Sequence, residues 1–403
     1  MTNPIKVVDA CMGAGKTTGI FKKIELGEIS LPVLYISPFL DEVGDGDTDG
    51  RIQRSLPDFD FIAPKELPNK SAHIEQLAKE GSNIACTHSL MQKLSDEALR
   101  YLVDNGYTII IDEAINAFES IDISTSDLDN LREVGLITID DNRQLSWEDI
   151  KDYDGKFNDL RIACKRGAVF LAGNSQLLMW EFPVALFDSS LDVWVMTYPF
   201  EGTMMKSYFD IYNFDYEIVA DEELDLRPEH ELIAEAAQLL EIYEGRSNDV
   251  GRGIKALSST NLNSKAIRKV LSKSMRTVAV STWKAKSDDL VWTTFKKAVP
   301  EASPVGFKTR HIACNLRATN DYADCSHVMY GVNIFVNPEI RNHINSRGAR
   351  FDQDAYALGE MLQLLWRGCI RKGKPMKVFI PSRRMRDLLY SWLSKYEEMA
   401  IAA

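Results

Sequence analysis

Long apolar runs are missing from this chain, and none approaches the roughly twenty residues that a membrane-spanning helix needs. The opening residues, MTNPIKVVDA, also lack the apolar core of a secretory signal peptide. Cysteine is scarce, with six among 403 residues and no CxxC pair or zinc spacing, which favours free thiols in a reducing compartment. His230, His327 and His343 have no partner ligands at metal-binding spacing and are interpreted as structural or surface residues. We therefore expect a cytoplasmic protein with no membrane partner.

An excess of positive charge is also missing, because 47 Lys and Arg stand against 59 Asp and Glu, for a net charge of −12. This balance argues against a protein that coats nucleic acid by bulk attraction. It does not exclude a local basic surface, and residues 341–386 contain eleven Lys or Arg against three Asp or Glu. Such a local excess can neutralise several phosphates, so nucleic acid is an expected partner.

A glycine-rich turn at residues 10–18, ACMGAGKTT, is the strongest functional signal. It follows a short β-branched run, residues 5–8, that predicts a buried strand, and it precedes a segment that can continue as a helix. Strand, turn and helix form a phosphate loop, in which backbone N–H groups and Lys16 bind phosphates and the Thr17 hydroxyl ligates Mg²⁺. The predicted ATP-binding residues are Gly13, Ala14, Gly15, Lys16, Thr17 and Thr18.

Two adjacent carboxylates, Asp112 and Glu113, end the strongest strand signal of the chain, TIIID at residues 108–112. Asp112 is predicted to hold the Mg²⁺ through water, together with Thr17. Glu113 is predicted to orient and deprotonate the attacking water. Both roles require acids beside a metal-bound triphosphate, which explains two carboxylates at one strand end.

Apolar strands alternate with helical stretches, a pattern that predicts an α/β fold with parallel sheets whose ligands bind at the carboxyl ends of the strands. Four polar clusters would then share one edge, at residues 10–18, 37–38, 87–88 and 112–113. The long separation between Glu113 and the next core strand predicts an inserted α+β subdomain at about residues 121–187.

An acidic stretch, residues 213–249, is the expected linker between two domains, with a helix predicted from Pro228 to Glu244. Beyond it, strand-like runs alternate with helical stretches and predict a second α/β sheet in residues 250–403. One of these predicted strands is the run TVAV at residues 277–280.

The segment QLLWRGCIR, near the end of the second predicted domain, places Gln363, Arg367 and Arg371 four residues apart. On one helix these three polar groups share nearly one face. An arginine delivered to the γ phosphate from a second domain stabilises charge in the transition state, and either arginine can take this role. The predicted catalytic residues are therefore Lys16, Glu113, Gln363, Arg367 and Arg371.

The segments GAGKTT, DEAI and QLLWRGCIR resemble motifs I, II and VI of superfamily 2 helicases, the DEAD-like and DExH translocases, in order and spacing. Residues 318–326, ATNDYADCS, are similar to motif V of the DEAH branch. Residues 315–386 look most like helicase-like proteins encoded by bacteriophages. By this resemblance, the residues that contact the nucleic-acid backbone are Ser37, Pro38, Thr87, His88, Thr319 and Asn320.

The resemblance implies two tandem RecA-like P-loop domains, at residues 1–212 with the insertion and at residues 250–403. It implies an ATP- and Mg²⁺-dependent translocase or helicase that acts on DNA rather than RNA in phage replication or recombination. It further implies a monomer in the cytoplasm of a bacterial host, with a replication or recombination protein as a candidate partner.

Two other functions fit parts of the sequence. A viral DNA-packaging motor ATPase shares the phosphate loop and the DE strand, but it needs a nuclease domain with clustered carboxylates that bind two metals. The second half of the chain has no obvious cluster of this kind. A nucleotide-gated scaffold would instead use ATP only to switch its binding to a replication or recombination partner.

Overall fold

The computed structural model describes residues 3–402 except 92, 149–152, 154, 173–176, 183, 188–190 and 315–321. The strands are β1 (Ile5–Asp9), β2 (Val33–Ser37), β3 (Ile84–Thr87), β4 (Thr108–Asp112), β5 (Phe118–Ile121), β6 (Ile137–Ile139), β7 (Leu145–Trp147), β8 (Val169–Leu171), β9 (Leu178–Glu181), β10 (Asp192–Thr197), β11 (Tyr216–Ile218), β12 (Leu240–Ile242), β13 (Leu290–Thr293), β14 (His311–Ile312), β15 (His327–Tyr330) and β16 (Met376–Phe379).

The α-helices are α1 (Lys16–Glu25), α2 (Leu40–Val43), α3 (Arg51–Ser55), α4 (Lys70–Glu80), α5 (His88–Met91), α6 (Asp96–Asp104), α7 (Thr125–Glu133), α8 (Asn158–Lys165), α9 (Met204–Tyr212), α10 (Glu229–Leu239), α11 (Lys265–Arg276), α12 (Val299–Ala302), α13 (Pro338–Ser346), α14 (Gln353–Leu365) and α15 (Arg383–Ala402). The chain forms two compact units. The first unit contains residues 1–8, 21–219 and 336–352, and the second unit contains residues 9–20, 220–335 and 353–403.

A sheet with strand order β11-β1-β10-β4-β2-β3 organises the first unit. β1 pairs with β11 in parallel, as do β10 with β4, β4 with β2, and β2 with β3. Lys6, near the start of β1, forms an ion pair of 3.0 Å with Asp192 at the start of β10, so these neighbours also run the same way. Every residue of β2 and β4 is buried, as expected for a parallel sheet covered on both faces.

The residues between β4 and β10 form smaller antiparallel pieces. β5, β9 and β8 make a three-stranded antiparallel sheet, and β6 pairs with β7 as an antiparallel ribbon. Helices α7 and α8 pack on these strands through an apolar core that includes Leu128, Trp147 and Leu160. This part of the first unit has its own α+β core.

One helix of the first unit comes from the second half of the sequence. α13 follows β15, a strand of the second unit, but residues 336–352 belong to the first unit. Ser207 Oγ on α9 donates a hydrogen bond of 3.1 Å to the carbonyl oxygen of Arg350. The domain boundary at residues 213–249 stays a prediction. Residues 9–20 precede this boundary but belong to the second unit, and residues 336–352 follow it but belong to the first unit.

A sheet with strand order β12-β16-β15-β13-β14 organises the second unit, and its pairings are parallel. Its buried core includes Leu271 and Met275 of α11, Trp292 of β13 and Phe379 of β16. Within the described residues, no helix is long and apolar enough to cross a bilayer.

Two secondary-structure predictions for the second unit are wrong. Residues 277–280 are not a strand, because α11 continues into a π-helical turn at Thr277–Thr282. Leu271, Met275 and Val278 recur at helical spacing in one buried core, and this spacing outweighs the local β-branched preference. The helix predicted from Pro228 to Glu244 ends at Leu239, and β12 follows directly.

Gly19 on α1 makes a close backbone approach that a larger residue would prevent. A Cβ at this position would lie 2.6 Å from the carbonyl oxygen of Leu224. We expect Gly19→Ala to lower the free energy of unfolding by about 1–2 kcal/mol, because the overlap outweighs the gain in helix propensity. Urea denaturation measures this change.

Gly253→Ala is the matched control, because a Cβ there would lie no closer than 3.7 Å to another atom. It should change stability by about 0.5 kcal/mol or less. A Gly19→Ala variant as stable as this control would contradict the close approach.

Candidate nucleotide site

The loop after β1 adopts a conformation that glycine makes accessible. Gly13 has φ +87° and Gly15 has φ +102°, both in the left-handed region that L side chains rarely adopt. The N–H of Ala14 donates to the carbonyl oxygen of Cys11 at 3.2 Å, which closes the turn, and α1 begins at Lys16. The loop therefore leads into the amino end of a ten-residue helix, where N–H groups and the helix dipole favour an anion.

Lys16 lies back over this loop. Its ammonium donates to the carbonyl oxygen of Ala10 and, at 3.2 Å, to that of Cys11. These contacts place a positive charge at the turn formed by Gly13 and Gly15. A phosphate oxygen is a stronger acceptor for an ammonium than a neutral carbonyl oxygen, so the arrangement suits a phosphate ligand.

The segment that precedes α10 supports the loop inside the second unit. The N–H of Arg227 donates to the carbonyl oxygen of Ala14 at 3.0 Å, and Cys11 Sγ lies 3.8 Å from Glu229 Oε1. Trp366 also belongs to this surround, because a Cβ on Gly13 would lie 3.7 Å from its indole Nε1. The phosphate loop and the QLLWRGCIR segment therefore meet at Gly13 and Trp366.

Asp112 ends β4 as a buried carboxylate, with 8% of its surface exposed. The hydroxyl of Tyr35 donates to Asp112 Oδ2 at 2.8 Å. Burial and the negative charge of Asp112 raise the pKa of Tyr35 well above its ordinary value, so this hydroxyl stays protonated and remains a donor. His88 Nε2 lies 3.1 Å from the carbonyl oxygen of Asp112 and links β4 to the end of β3.

Glu113 has a left-handed backbone with φ +67°, which is uncommon for a residue with a side chain. Its N–H donates to the carbonyl oxygen of Met196 on β10 at 2.9 Å. Its side chain is half-buried. Backbone conformations of this kind cluster at functional sites, and this one turns the chain directly after Asp112.

The residues predicted to contact nucleic acid lie in different environments. Ser37 is fully buried, and its Oγ has no hydrogen-bond partner among the residues that the structure describes. Pro38, Thr87 and His88 are half-buried, and Thr87 Oγ1 lies 3.1 Å from Ser89 Oγ. Ser37 and Thr87 pair in register at the ends of β2 and β3. Thr319 and Asn320 lie outside the described residues.

The prediction that Gln363, Arg367 and Arg371 share one helix face is wrong. α14 ends at Leu365, Arg367 lies in the following turn, and Arg371 lies in a separate 3₁₀ turn at Cys369–Lys372. Gly368 is extended, with φ −80° and ψ −170°, which ends the helical path, and a Cβ there would lie 2.7 Å from Met376 Sδ and 3.2 Å from the carbonyl oxygen of Cys325. Gln363 and Arg367 are half-buried, whereas Arg371 is exposed.

Sequence reasoning missed two residues that shape this site, Tyr35 and Trp366. A tyrosine inside an otherwise apolar strand was a usable signal for Tyr35, because a buried hydroxyl needs a partner. Trp366 stands where the helicase motif usually has glycine, and its buried ring packs edge-on against Trp392 with centroids 5.8 Å apart.

Comparisons with known proteins agree with this architecture. Residues 118–180 match a family model described as the YonV middle domain, and residues 234–393 match one described as the YonV C-terminal Rossmann-like domain. The SPbeta prophage-derived protein YonV of Bacillus subtilis (strain 168) is 31% identical over 411 residues, which cover 96% of this chain and 98% of that protein.

A solved structure shows the same fold at low sequence identity. An apo structure of XPD matches with a TM-score of 0.53 and 15% identity, over 98% of this chain and 95% of that chain. The DUF1998 helicase MrfA, bound to DNA and AMPPNP, matches with a lower TM-score of 0.37 and 12% identity, over 96% of this chain and 48% of that one. The predicted fold class is confirmed: two tandem RecA-like α/β domains with parallel sheets and an α+β insertion in the first.

Tyr35→Phe removes the hydroxyl that donates to Asp112 Oδ2. We expect the free energy of unfolding to fall by about 1–3 kcal/mol, because a buried carboxylate loses a donor. Urea denaturation of the variant measures the loss. Tyr101→Phe, at a half-buried tyrosine of α6, is the control and should change stability by about 0.5 kcal/mol or less. Equal stability of the two variants would contradict a contribution from the Tyr35 hydrogen bond.

Proposed function

Because this chain belongs to the YonV family, which includes a prophage-derived relative, and has a helicase-like fold, we propose that it is an ATP-dependent translocase or helicase. In this proposal it acts on DNA in phage replication or recombination. The observation that carries the proposal is the phosphate loop, with left-handed Gly13 and Gly15 directly before Lys16 and the start of α1.

The loop supplies the groups that a triphosphate needs. Backbone N–H groups of residues 13–18 would bind the phosphate oxygens, and the Lys16 ammonium would move from its carbonyl acceptors to the β and γ phosphates. Gly13, Ala14, Gly15, Lys16, Thr17 and Thr18 are the proposed ATP-binding residues. The fit rests on the positive charge and the donors that the loop already presents.

The Thr17 hydroxyl and the Asp112 carboxylate are oxygen donors of the kind that Mg²⁺ prefers, and by the helicase resemblance they are its proposed ligands. Among the described residues, no group of three or more His, Cys, Asp or Glu side chains could hold a metal ion. A Mg²⁺ ion here would therefore complete its shell with phosphate oxygens and water, as this cation commonly does. When bound, it neutralises developing charge on the phosphates. Glu113 is the proposed base that orients the attacking water.

Arg367 is the preferred candidate for the arginine that stabilises the transition state. It follows Trp366, whose indole lies beside Gly13 of the phosphate loop. Arg371 is exposed and stands in a separate turn, with Lys372 beside it paired to Asp324 at 2.8 Å. Gln363 lies on the last turn of α14, before Arg367, and would contact the γ phosphate or the water.

The proposed nucleic-acid contacts begin at the carboxyl ends of β2 and β3. Pro38, Thr87 and His88 have accessible surface there, and the Thr87 hydroxyl would contact the backbone without reading sequence. Buried Ser37 would position this edge rather than touch a strand. Thr319 and Asn320 remain proposed contacts by resemblance alone.

The basic run at residues 341–386 contributes less free charge than its composition indicates. Arg341, Arg347 and Arg350 belong to the first unit, and the other basic residues of the run belong to the second. Arg384 pairs with Asp354 at 2.6 Å, and Arg386 pairs with Glu244 at 3.2 Å. The charge for phosphate binding would therefore come from exposed members such as Lys374, whose ion pair with Asp324 at 3.8 Å is open to solvent and weak, rather than from the run as a whole.

Lys16→Ala is expected to slow ATP hydrolysis by about 10²-fold or more, because the γ phosphate loses its ammonium. Phosphate release is measured for the wild type and the variant with single-stranded DNA, duplex DNA and RNA at two salt concentrations. We expect DNA to stimulate the wild type, and the stimulation to weaken at the higher salt. Lys22→Ala, at an exposed position of the same helix, is the matched control and should keep the wild-type rate.

Full turnover by Lys16→Ala would refute the ATP site. ATPase activity that no nucleic acid changes would refute the translocase and favour a nucleotide-gated scaffold.

Arg367→Ala is expected to slow hydrolysis by about 10³-fold, since arginine fingers contribute on this scale. Binding of a fluorescent ATP analogue should stay nearly intact, because the finger acts on the transition state. Arg371→Ala should have a smaller effect, and Arg252→Ala, at an exposed arginine of the second unit, should have none. Normal turnover in Arg367→Ala together with slow turnover in Arg371→Ala would assign the finger to Arg371.

A further inference from the structure

A cavity of about 680 Å³ lies inside the first unit, apart from the phosphate loop. Three parts of the chain line it: the inserted residues after β6, the end of α9 and the last turns of α13. We refer to it as the insertion cavity. Arg143, Arg166 and Arg347 all line it, and Asp141 is the acidic residue among its lining residues.

A buried carboxylate organises one wall of the insertion cavity. Glu181 on β9 is fully buried and accepts hydrogen bonds from the Tyr212 hydroxyl and from His343 Nε2, the latter at 2.6 Å. Arg347 Nη2 lies 3.6 Å from Glu181 Oε2. Burial and the negative charge of Glu181 raise the pKa of Tyr212, so its hydroxyl stays protonated and donates. This network holds Tyr212, His343 and Arg347 in fixed positions at the cavity.

His343 contributes a deeply buried imidazole to the wall of the insertion cavity. The residue lines the cavity and is only 1% exposed, and its Nδ1 has no hydrogen-bond partner among the described residues. Buried polar atoms are nearly always paired, so a ring nitrogen in this state needs an explanation. Because Nδ1 has almost no accessible surface, a ligand in the insertion cavity could pair with it only after the surrounding side chains shift.

The charges favour an anion. Glu181 offsets part of the charge of Arg347, and Asp96, which is largely exposed, offsets Arg166 only weakly at 3.6 Å. Arg143 has a left-handed backbone with φ +65°, and its Nε donates to the carbonyl oxygen of Leu171 at 3.2 Å. Planar guanidinium groups bind phosphate through paired hydrogen bonds, which makes a cluster of three well suited to a phosphate group.

The remaining lining favours a nucleotide over a bare anion. Phe170 and Phe182 are buried, and the Arg347 guanidinium already lies over the Phe170 ring at 4.4 Å, so the half-buried Tyr212 is the aromatic side chain of the lining with surface for a base. Asn142 adds an exposed amide group that can bind a base edge, whereas the Gln144 Nε2 already donates to the carbonyl oxygen of Gly167 at 2.6 Å. The volume lies in the range of ordinary small-molecule sites, about 300–1,000 Å³. Bases stack on aromatic side chains and arginine planes in many nucleic-acid-binding proteins.

We propose that the insertion cavity binds a nucleoside monophosphate, either free or as the 5′-terminal nucleotide of a DNA strand. The arginines bind the phosphate, and Tyr212 and Asn142 bind the base. This site is separate from the ATP site and does not depend on hydrolysis.

The test uses the Lys16→Ala protein, in which the phosphate loop has lost its ammonium and should compete less for nucleotides. Equilibrium dialysis with radiolabelled dAMP is expected to show saturable binding of one equivalent. Adding Arg143→Gln, or Arg166→Gln in case the first variant folds poorly, should weaken binding at least tenfold. Arg132→Gln, at an exposed arginine of α7 in the same subdomain, is the matched control and should stay within twofold. Thermal melting verifies that each variant is folded.

Absence of saturable dAMP binding, or equal binding by the Arg143→Gln, Arg166→Gln and Arg132→Gln proteins, would overturn the proposal. Competition by inorganic phosphate as strong as that by unlabelled dAMP would overturn the nucleotide assignment, because only the phosphate would then be bound.

A second measurement distinguishes the two sources of the ligand. Fluorescence anisotropy compares a 3′-labelled oligonucleotide carrying a 5′-phosphate with the same oligonucleotide carrying a 5′-hydroxyl. A preference for the phosphorylated strand that Arg143→Gln removes supports recognition of a strand end. Saturable dAMP binding without that preference supports a free nucleotide.

Discussion

The left-handed backbone at Gly13 and Gly15 is the constraint on which the candidate ATP site depends. Side chains at these positions would strain the turn that places Lys16 at the start of α1. Gly19, one turn into the same helix, is required for another reason, because the carbonyl oxygen of Leu224 leaves no room for a Cβ. Backbone conformation requires glycine at positions 13 and 15, and close packing requires it at position 19. Together they let one short segment present N–H groups to a phosphate while the chain before α10 packs closely behind it.

A second constraint on the structure, away from that loop, is the buried carboxylate of Glu181. Glu181 lies on β9 of the insertion, yet its partner His343 lies on α13, which follows β15 of the second unit in sequence. A fully buried carboxylate is costly unless donors surround it, so Tyr212, His343 and Arg347 must stay in place. The same contacts hold α13 in the first unit and build one wall of the insertion cavity. The insertion is therefore packed against a late segment of the chain rather than standing as a separate module.

Whether a sequence-based prediction succeeded depends on how far apart in the chain the residues lie that decide the structure. β2 and β4 are buried at every residue, and continuous apolar runs of this kind indicate parallel strands directly. Residues 277–282 have the composition of a strand, but their buried positions continue the helical spacing of α11. The prediction that Gln363 and Arg371 share a helix face was wrong, because Gly368 ends the helical path at a position that Met376 and Cys325 crowd. No local pattern could reveal that crowding.

The sequence by itself determined the glycine turn between β1 and α1, the adjacent carboxylates and the α/β class, because each depends on residues that are neighbours in the chain or repeat at short spacing. Only the tertiary structure decided which distant groups meet. Tyr35 and Asp112 are 77 residues apart and share a buried hydrogen bond, and Glu181 and His343 are 162 residues apart. Such pairs depend on how strands and helices pack, and packing is a property of the whole fold. The arginines of the insertion cavity come together for the same reason.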